Sequence, residues 1–164
     1  MNNKKLALCL IILLSVFSTL TFAKKDQRLE LANLTVRYYQ YLSTKNFKAI
    51  NNMVGNNFSL SNIECKTRQK ALHLLKKIYG DSHHTVELSN VTVLSYEDLQ
   101  KVEKTYFDDI DIYKNVVIGD WITLVPKMKI NGEISPTLIG LVFRKKGNRW
   151  YVVGMYRNRN LVNR

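Results

Sequence analysis

Val116 to Arg157 reads VVIGDWITLVPKMKINGEISPTLIGLVFRKKGNRWYVVGMYR. Three β-prone runs, Val116 to Lys129, Thr137 to Lys145 and Trp150 to Arg157, are separated by Asn131-Gly132 and Gly147-Asn148. Such dipeptides accept the left-handed backbone of a tight hairpin, so the stretch predicts a meander of long antiparallel strands. Alternation puts Trp150, Val152, Gly154 and Tyr156 on one face of the last run and Tyr151, Val153, Met155 and Arg157 on the other, and neither face is polar throughout. Thr137 to Phe143 and Asp120 to Met128 behave alike. A sheet with one wet face alternates apolar and polar residues, so something must cover the second face too. A second copy of the same sheet is the simplest cover, and a homodimer is expected.

Upstream of the strands the period changes to that of a helix. From Asp26 to Leu42 the residues Leu31, Leu34, Tyr38, Tyr41 and Leu42 recur at three- and four-residue steps. A second helix fits Asn46 to Met53, with Gly55 as its stop, and Phe58, Leu60 and Ile63 suggest a short extended piece. A third helix runs from Thr67 to Tyr79, with Thr67 as N-cap and Gly80 as C-cap. Thr85 to Ser95 begins the β-prone half; in Tyr96 to Tyr113 the residues Leu99, Val102, Tyr106 and Ile110 could line a helix and Tyr106 to Tyr113 a strand, and the stretch is read as a strand with an acidic lead-in. Helices first and strands afterwards imply an α+β domain, its N-terminal helices packed on a curved antiparallel sheet.

The chain has 164 residues, 46% of them apolar and 23% charged, with two prolines and seven glycines. That composition fits one folded domain and excludes a disordered tail or a repeat array. Residues 1–23 have another character. Lys4 and Lys5 precede an uncharged run from Leu6 to Phe22, and Thr21-Phe22-Ala23 closes it, which is the grammar of a secretory signal. The apolar centre from Leu6 to Phe17 would span only ~18 Å as a helix, short of the ~30 Å hydrocarbon core. Cleavage after Ala23 is expected, leaving a single periplasmic or secreted domain at 24–164; the alternative keeps the segment as an inner-membrane anchor. The formal charge of +12 becomes +10 once Lys4 and Lys5 are gone. Cys65 is then the only cysteine, so stability rests on a packed core rather than a disulfide.

Two segments carry a resemblance. Val36-Arg37-Tyr38-Tyr39-Gln40-Tyr41-Leu42, followed by Asn46-Phe47-Lys48-Ala49-Ile50 and by Phe58, is similar to the opening of the nuclear transport factor two-like superfamily. Gly147-Asn148-Arg149-Trp150-Tyr151-Val152-Val153 resembles the turn and strand with which such chains finish, and Val117-Ile118-Gly119-Asp120 the start of a middle strand. That superfamily, which includes scytalone dehydratase, ketosteroid isomerase and the SnoaL-like cyclases, usually has Asp where Asn46 stands. The resemblance implies a cone-shaped fold whose helices and concave sheet enclose a pocket. It assigns no catalytic role to a numbered residue here.

The candidate site residues follow from that pocket. Tyr38, Trp121, Trp150 and Tyr156 are the expected ligand-binding residues, for a small apolar ligand. Asp120, on the inward face of an apolar cone, would be a general base, and His83 or His84 could serve instead, although neighbours in extended backbone point apart and suit no common metal. His73 shares a polar helix side with Lys66, Lys70 and Lys77 and is expected in solvent. The acidic group Glu97, Asp98, Glu103, Asp108, Asp109 and Asp111 lacks the glycine of a calcium loop and reads as a solvated stretch. No Gly-rich phosphate loop, no Gly-x-Ser-x-Gly elbow and no paired Cys or His set occurs, so neither cofactor nor metal is expected. From Ile134 onward there are basic residues and no acidic one. Export argues against nucleic acid as their partner and for an anionic envelope surface. The leading expectation is a non-catalytic binding or interaction module of the cell envelope. A lyase or isomerase using Asp120 or a histidine is the second, and a membrane-anchored scaffold the third.

Overall fold

The computed structural model describes residues 24–61, 63–81, 86–101, 115–125, 127–135 and 138–158. The described residues open with a long helix, α1, at residues 24–43. It buries Leu31, Thr35, Tyr38, Tyr39 and Leu42, positions that share one side of a 3.6-residue helix. Lys45 then takes a left-handed backbone (φ 55°), and Asn46 caps α2 (Phe47–Met53) by accepting from the Ala49 amide at 3.1 Å. There is no loop after α2. Val54 is already extended, so Gly55 lies inside β1 (Val54–Leu60) instead of stopping the helix. After β2 (Ile63–Cys65) the Thr67 hydroxyl caps α3 (Arg68–Tyr79), which buries Ala71 and Leu75 and leaves His73 exposed.

The strands form a six-stranded sheet in the order β2-β1-β9-β8-β5-β4, comprising also β4 (Thr92–Ser95), β5 (Trp121–Val125), β8 (Leu138–Lys146) and β9 (Arg149–Asn158). The expectation of a wholly antiparallel sheet needs correction, because β1 runs parallel to β9. Val54 pairs with Val152 and Leu60 with Met155, so the segment between the helices threads beside the last strand. Two long runs also divide. Thr85 to Ser95 breaks at Asn90 (φ 57°) into β3 (Val86–Ser89) and β4, and Val116 to Lys129 divides into β5 and β6 (Lys127–Ile130). The outer pieces join β7 (Glu133–Ser135) in a second sheet, β3-β6-β7, whose Asn131-Gly132 turn has the expected positive φ at both residues.

The helices and the sheet bury a core containing Tyr38, Ile50, Phe58, Leu75, Phe143 and Val152. Complete burial of one such side chain contributes roughly 1.5–3 kcal/mol. A buried hydroxyl pair fastens α1 to the sheet: Thr35 Oγ1 lies 2.7 Å from Thr123 Oγ1 and 2.9 Å from the Leu31 carbonyl oxygen. One hydroxyl has one proton, so the pair is satisfied when Thr35 donates to the carbonyl and Thr123 donates to Thr35.

The opposite face of the sheet has its own core of Leu99, Val116, Ile122, Leu124, Val142, Val153 and Tyr156. Its cover comes partly from a short helix, α4 (Tyr96–Lys101), which occupies the acidic lead-in of the stretch Tyr96 to Tyr113; residues 102–114, with the strand expected there, lie outside the described residues. Helix wins because Ser95 and Asp98 form a reciprocal cap. The Asp98 amide donates to Ser95 Oγ at 3.1 Å, and the Ser95 amide donates to Asp98 Oδ2 at 3.2 Å. Arg28 of α1 then reaches Asp98 at 2.9 Å. Over β4 and β5, therefore, α4 supplies part of the cover on this face.

Candidate functional site

Asp120 is 1% exposed at the start of β5, and alternation along that strand puts it with Ile122 and Leu124, whose side chains belong to the outer-face core. It therefore faces away from the interior of the cone, against the expectation of an inward carboxylate. Both of its oxygens are engaged. Arg144 donates from Nε to Oδ1 and from Nη2 to Oδ2, both at 2.7 Å, and the Val117 amide donates to Oδ2 at 3.0 Å. The forked geometry is the strong form of a carboxylate–guanidinium contact, and the hydrogen bond to Asp120 pushes the Arg144 guanidinium above its ordinary value. A general base needs a lone pair open to a substrate proton, and the one direction left on Oδ1 belongs to a carboxylate that is 1% exposed. His83 and His84 lie outside the described residues.

The four expected pocket residues do not converge. Tyr38 and Trp121 are buried in the helix-facing core, and Trp150 packs against it. Tyr156 is on the other side of the sheet. A bulge in the β8–β9 pairing explains the separation. Phe143 pairs with Val152 and Val142 with Gly154, so Val153 is an extra residue and the alternation shifts beyond it. Val152 and Met155 both face the helices, while Val153 and Tyr156 both face outward. The Tyr156 ring then lies across Gly154, where a Cβ would come within 2.6 Å of ring carbon Cε2.

Within the cone, the described residues between helices and sheet include several large buried side chains. Tyr38, Phe58, Phe143, Leu31, Ile50 and Leu75 are all fully buried. Trp150 acts as a strut: its Nε1 donates to Glu30 of α1 at 3.0 Å, and the Lys145 ammonium sits 5.3 Å from its ring centre. The Tyr38 hydroxyl is buried with no hydrogen-bond partner among the described residues, and desolvation, with a smaller effect of Tyr79, drives its pKa upward. Burial likewise pushes the Cys65 thiol up, against a smaller opposing effect of Lys70, which is the wrong direction for a nucleophile. Among the described residues no group of three His, Cys, Asp or Glu side chains could hold a metal ion.

Open space occurs on the outer face. One cleft of about 380 Å³ lies among Asn57, Ser59, Glu64, Lys66, Asn115 and Arg144, with Val117 forming part of its wall. A second, of about 610 Å³, lies among Asn56, Arg68, Arg144, Lys146 and Tyr151, and its lining contains no carboxylate. Arg144 belongs to both. The Arg68 guanidinium sits 5.9 Å from the Tyr151 ring centre, within cation–π range. The sequence contained the signal for this site, a run of cations around Gly147-Asn148. What it lacked was Arg68, which β1–β9 pairing brings close from far along the chain.

No family model matches the chain, and no curated protein matches it. Solved structures do resemble it. One is an NTF2-like protein of unknown function from Pseudomonas putida, at 10% identity and a TM-score of 0.56, over 80% of this chain and 86% of that one. Another is an uncharacterized protein with a cystatin-like fold from Caulobacter vibrioides, at 11% identity and a TM-score of 0.55, over 81% and 91%. Likeness at this level carries the fold and no residue's role.

Proposed function

We propose that this chain, which has the NTF2-like fold, is a non-catalytic interaction module exported to the cell envelope, working through the basic outer face of its sheet. One observation carries the reading: the strand carboxylate that a lyase or isomerase would use, Asp120, already accepts three hydrogen bonds. The interior is in keeping with it, since Tyr38, Phe58 and Phe143 are fully buried in the core between helices and sheet. Export rests on the signal grammar of residues 1–23. No helix among the described residues is long and apolar enough to cross a membrane.

Native mass spectrometry of the protein recovered from exporting cells tests the three readings together. The expected species has the mass of residues 24–164 and carries no small molecule. A retained adduct of a few hundred daltons would favour the ligand-binding or enzyme reading. The mass of the whole chain would favour the membrane-anchored scaffold.

A further inference from the structure

The outer clefts sit at one end of the sheet, and that end combines two features that a soluble anion would not require together. The first is charge. Lys66, Arg68, Arg144, Lys145, Lys146 and Arg149 gather where β1 begins and where β8 turns into β9. The described carboxylates of this end are already occupied or peripheral: Asp120 holds Arg144, Glu30 accepts from Trp150, and Glu64 borders only the smaller cleft. The second feature is an apolar tip. Val117 is 50% exposed and Ile118, beside it, is 80% exposed.

The tip has a built posture. Gly119 takes φ +90°, the Asp120 amide donates to the Val117 carbonyl at 3.0 Å, and the Asp120 carboxylate accepts from the Val117 amide. The same carboxylate grips Arg144, which lines both clefts. One buried ion pair thus ties the outward Ile118 to the basic cleft. Hydration of an aliphatic side chain held out in water is unfavourable, and the sequence could have placed a polar residue in this turn at no steric cost.

We propose that this end of the molecule docks on an anionic lipid surface, the larger cleft taking a headgroup phosphate between Arg68 and Lys146 while Ile118 enters the headgroup–acyl boundary. Charge complementarity selects an anionic partner, and the apolar tip selects a lipid surface over a soluble polyanion. The inference deepens the envelope reading above and rests on it for its biological setting. Its test depends only on the purified protein.

Co-sedimentation with vesicles decides it. Protein recovered from exporting cells is mixed at 0.1 M salt with vesicles of phosphatidylglycerol and phosphatidylcholine in equal parts, or of phosphatidylcholine alone. Binding is expected to the anionic vesicles and to weaken with added salt. Ile118→Ser should reduce partitioning about five-fold, because a partly buried branched side chain is lost. Joint replacement Arg68→Ser and Lys146→Ser should reduce it about thirty-fold, roughly five-fold for each cation removed. Ile118 and Lys146 are exposed while Arg68 is half-buried beside Tyr151, so melting temperatures are measured alongside and Lys146→Ser alone should still reduce binding about five-fold. Full binding by Ile118→Ser with loss in the double variant would overturn the proposal in favour of a free phosphate or soluble polyanion. Equal binding to neutral vesicles would overturn it by assigning adsorption to the N-terminal segment. A protein that sizes as a dimer and becomes a monomer with Ile118→Ser would make the tip a self-association surface, which also defeats the proposal.

Discussion

With Arg144 forked onto both oxygens and the Val117 amide on one of them, Asp120 accepts three hydrogen bonds at a buried position. The contact is structural, and its strength follows from burial of the carboxylate at 1% exposure. Asp120→Asn should cost about 2–3 kcal/mol in urea unfolding with an unchanged slope. This is below the ~3–5 kcal/mol typical of breaking a fully buried pair, because Arg144 is 37% exposed and can turn toward water. A loss under 0.5 kcal/mol would contradict the account. Gly154 gives a second residue-scale test. Gly154→Ala puts a methyl into the Tyr156 ring, which is itself buried, and should destabilise by about 1–3 kcal/mol. Parental stability would mean that the ring moves freely. Neither dependence was legible in the sequence, where Asp120 is a candidate inward base and Gly154 one member of a strand.

At the scale of elements, most helices were legible and one was missed. The apolar spacing of α1, the Asn46 cap of α2 and the Thr67 cap of α3 are local signals, and local signals survive in any tertiary setting. Helix α4 falls in what was read as an acidic lead-in, although Ser95-Tyr96-Glu97-Asp98 has the spacing of a capping box, with Asp for the usual Glu. That box makes α4 sensitive to acid. The Asp98 carboxyl is held below its ordinary value, first by the Ser95 amide, so its stabilisation is present above the unfolded-state pKa of ~3.9 and is lost as pH falls through the lower folded value. Asp98→Ala should therefore lower the melting temperature at pH 7, and the gap from the parent should close below pH ~4. A gap that persists to pH 2 would assign Asp98's effect to packing. The bulge in β9 is the other element-scale lesson. A period of two sorts side chains correctly until a single inserted residue reverses it, and nothing in Val152-Val153-Gly154 marks which residue is extra.

For the whole molecule, the two-faced apolar strands correctly required cover on both sides of the sheet, and the structure divides that cover between α1 to α3 on one side and α4 with Val116 on the other. What stays open on the outer face is lined by Lys66, Arg68, Arg144 and Lys146, cations that repel a like surface. The protein recovered from exporting cells should consequently size as a monomer at micromolar concentration and moderate salt; a dimer under these conditions would restore the second copy as the cover. The order of helices and strands, the hairpin turns, the caps and the α+β class were determined by the sequence itself, because spacing and turn chemistry act over a few residues. The tertiary structure alone decided that β1 pairs parallel to β9, that Tyr156 leaves the company of Trp150, and that Asp120 meets Arg144 instead of a cavity. Those outcomes join residues distant along the chain, and the free energies that choose among such pairings belong to packing that no local pattern records.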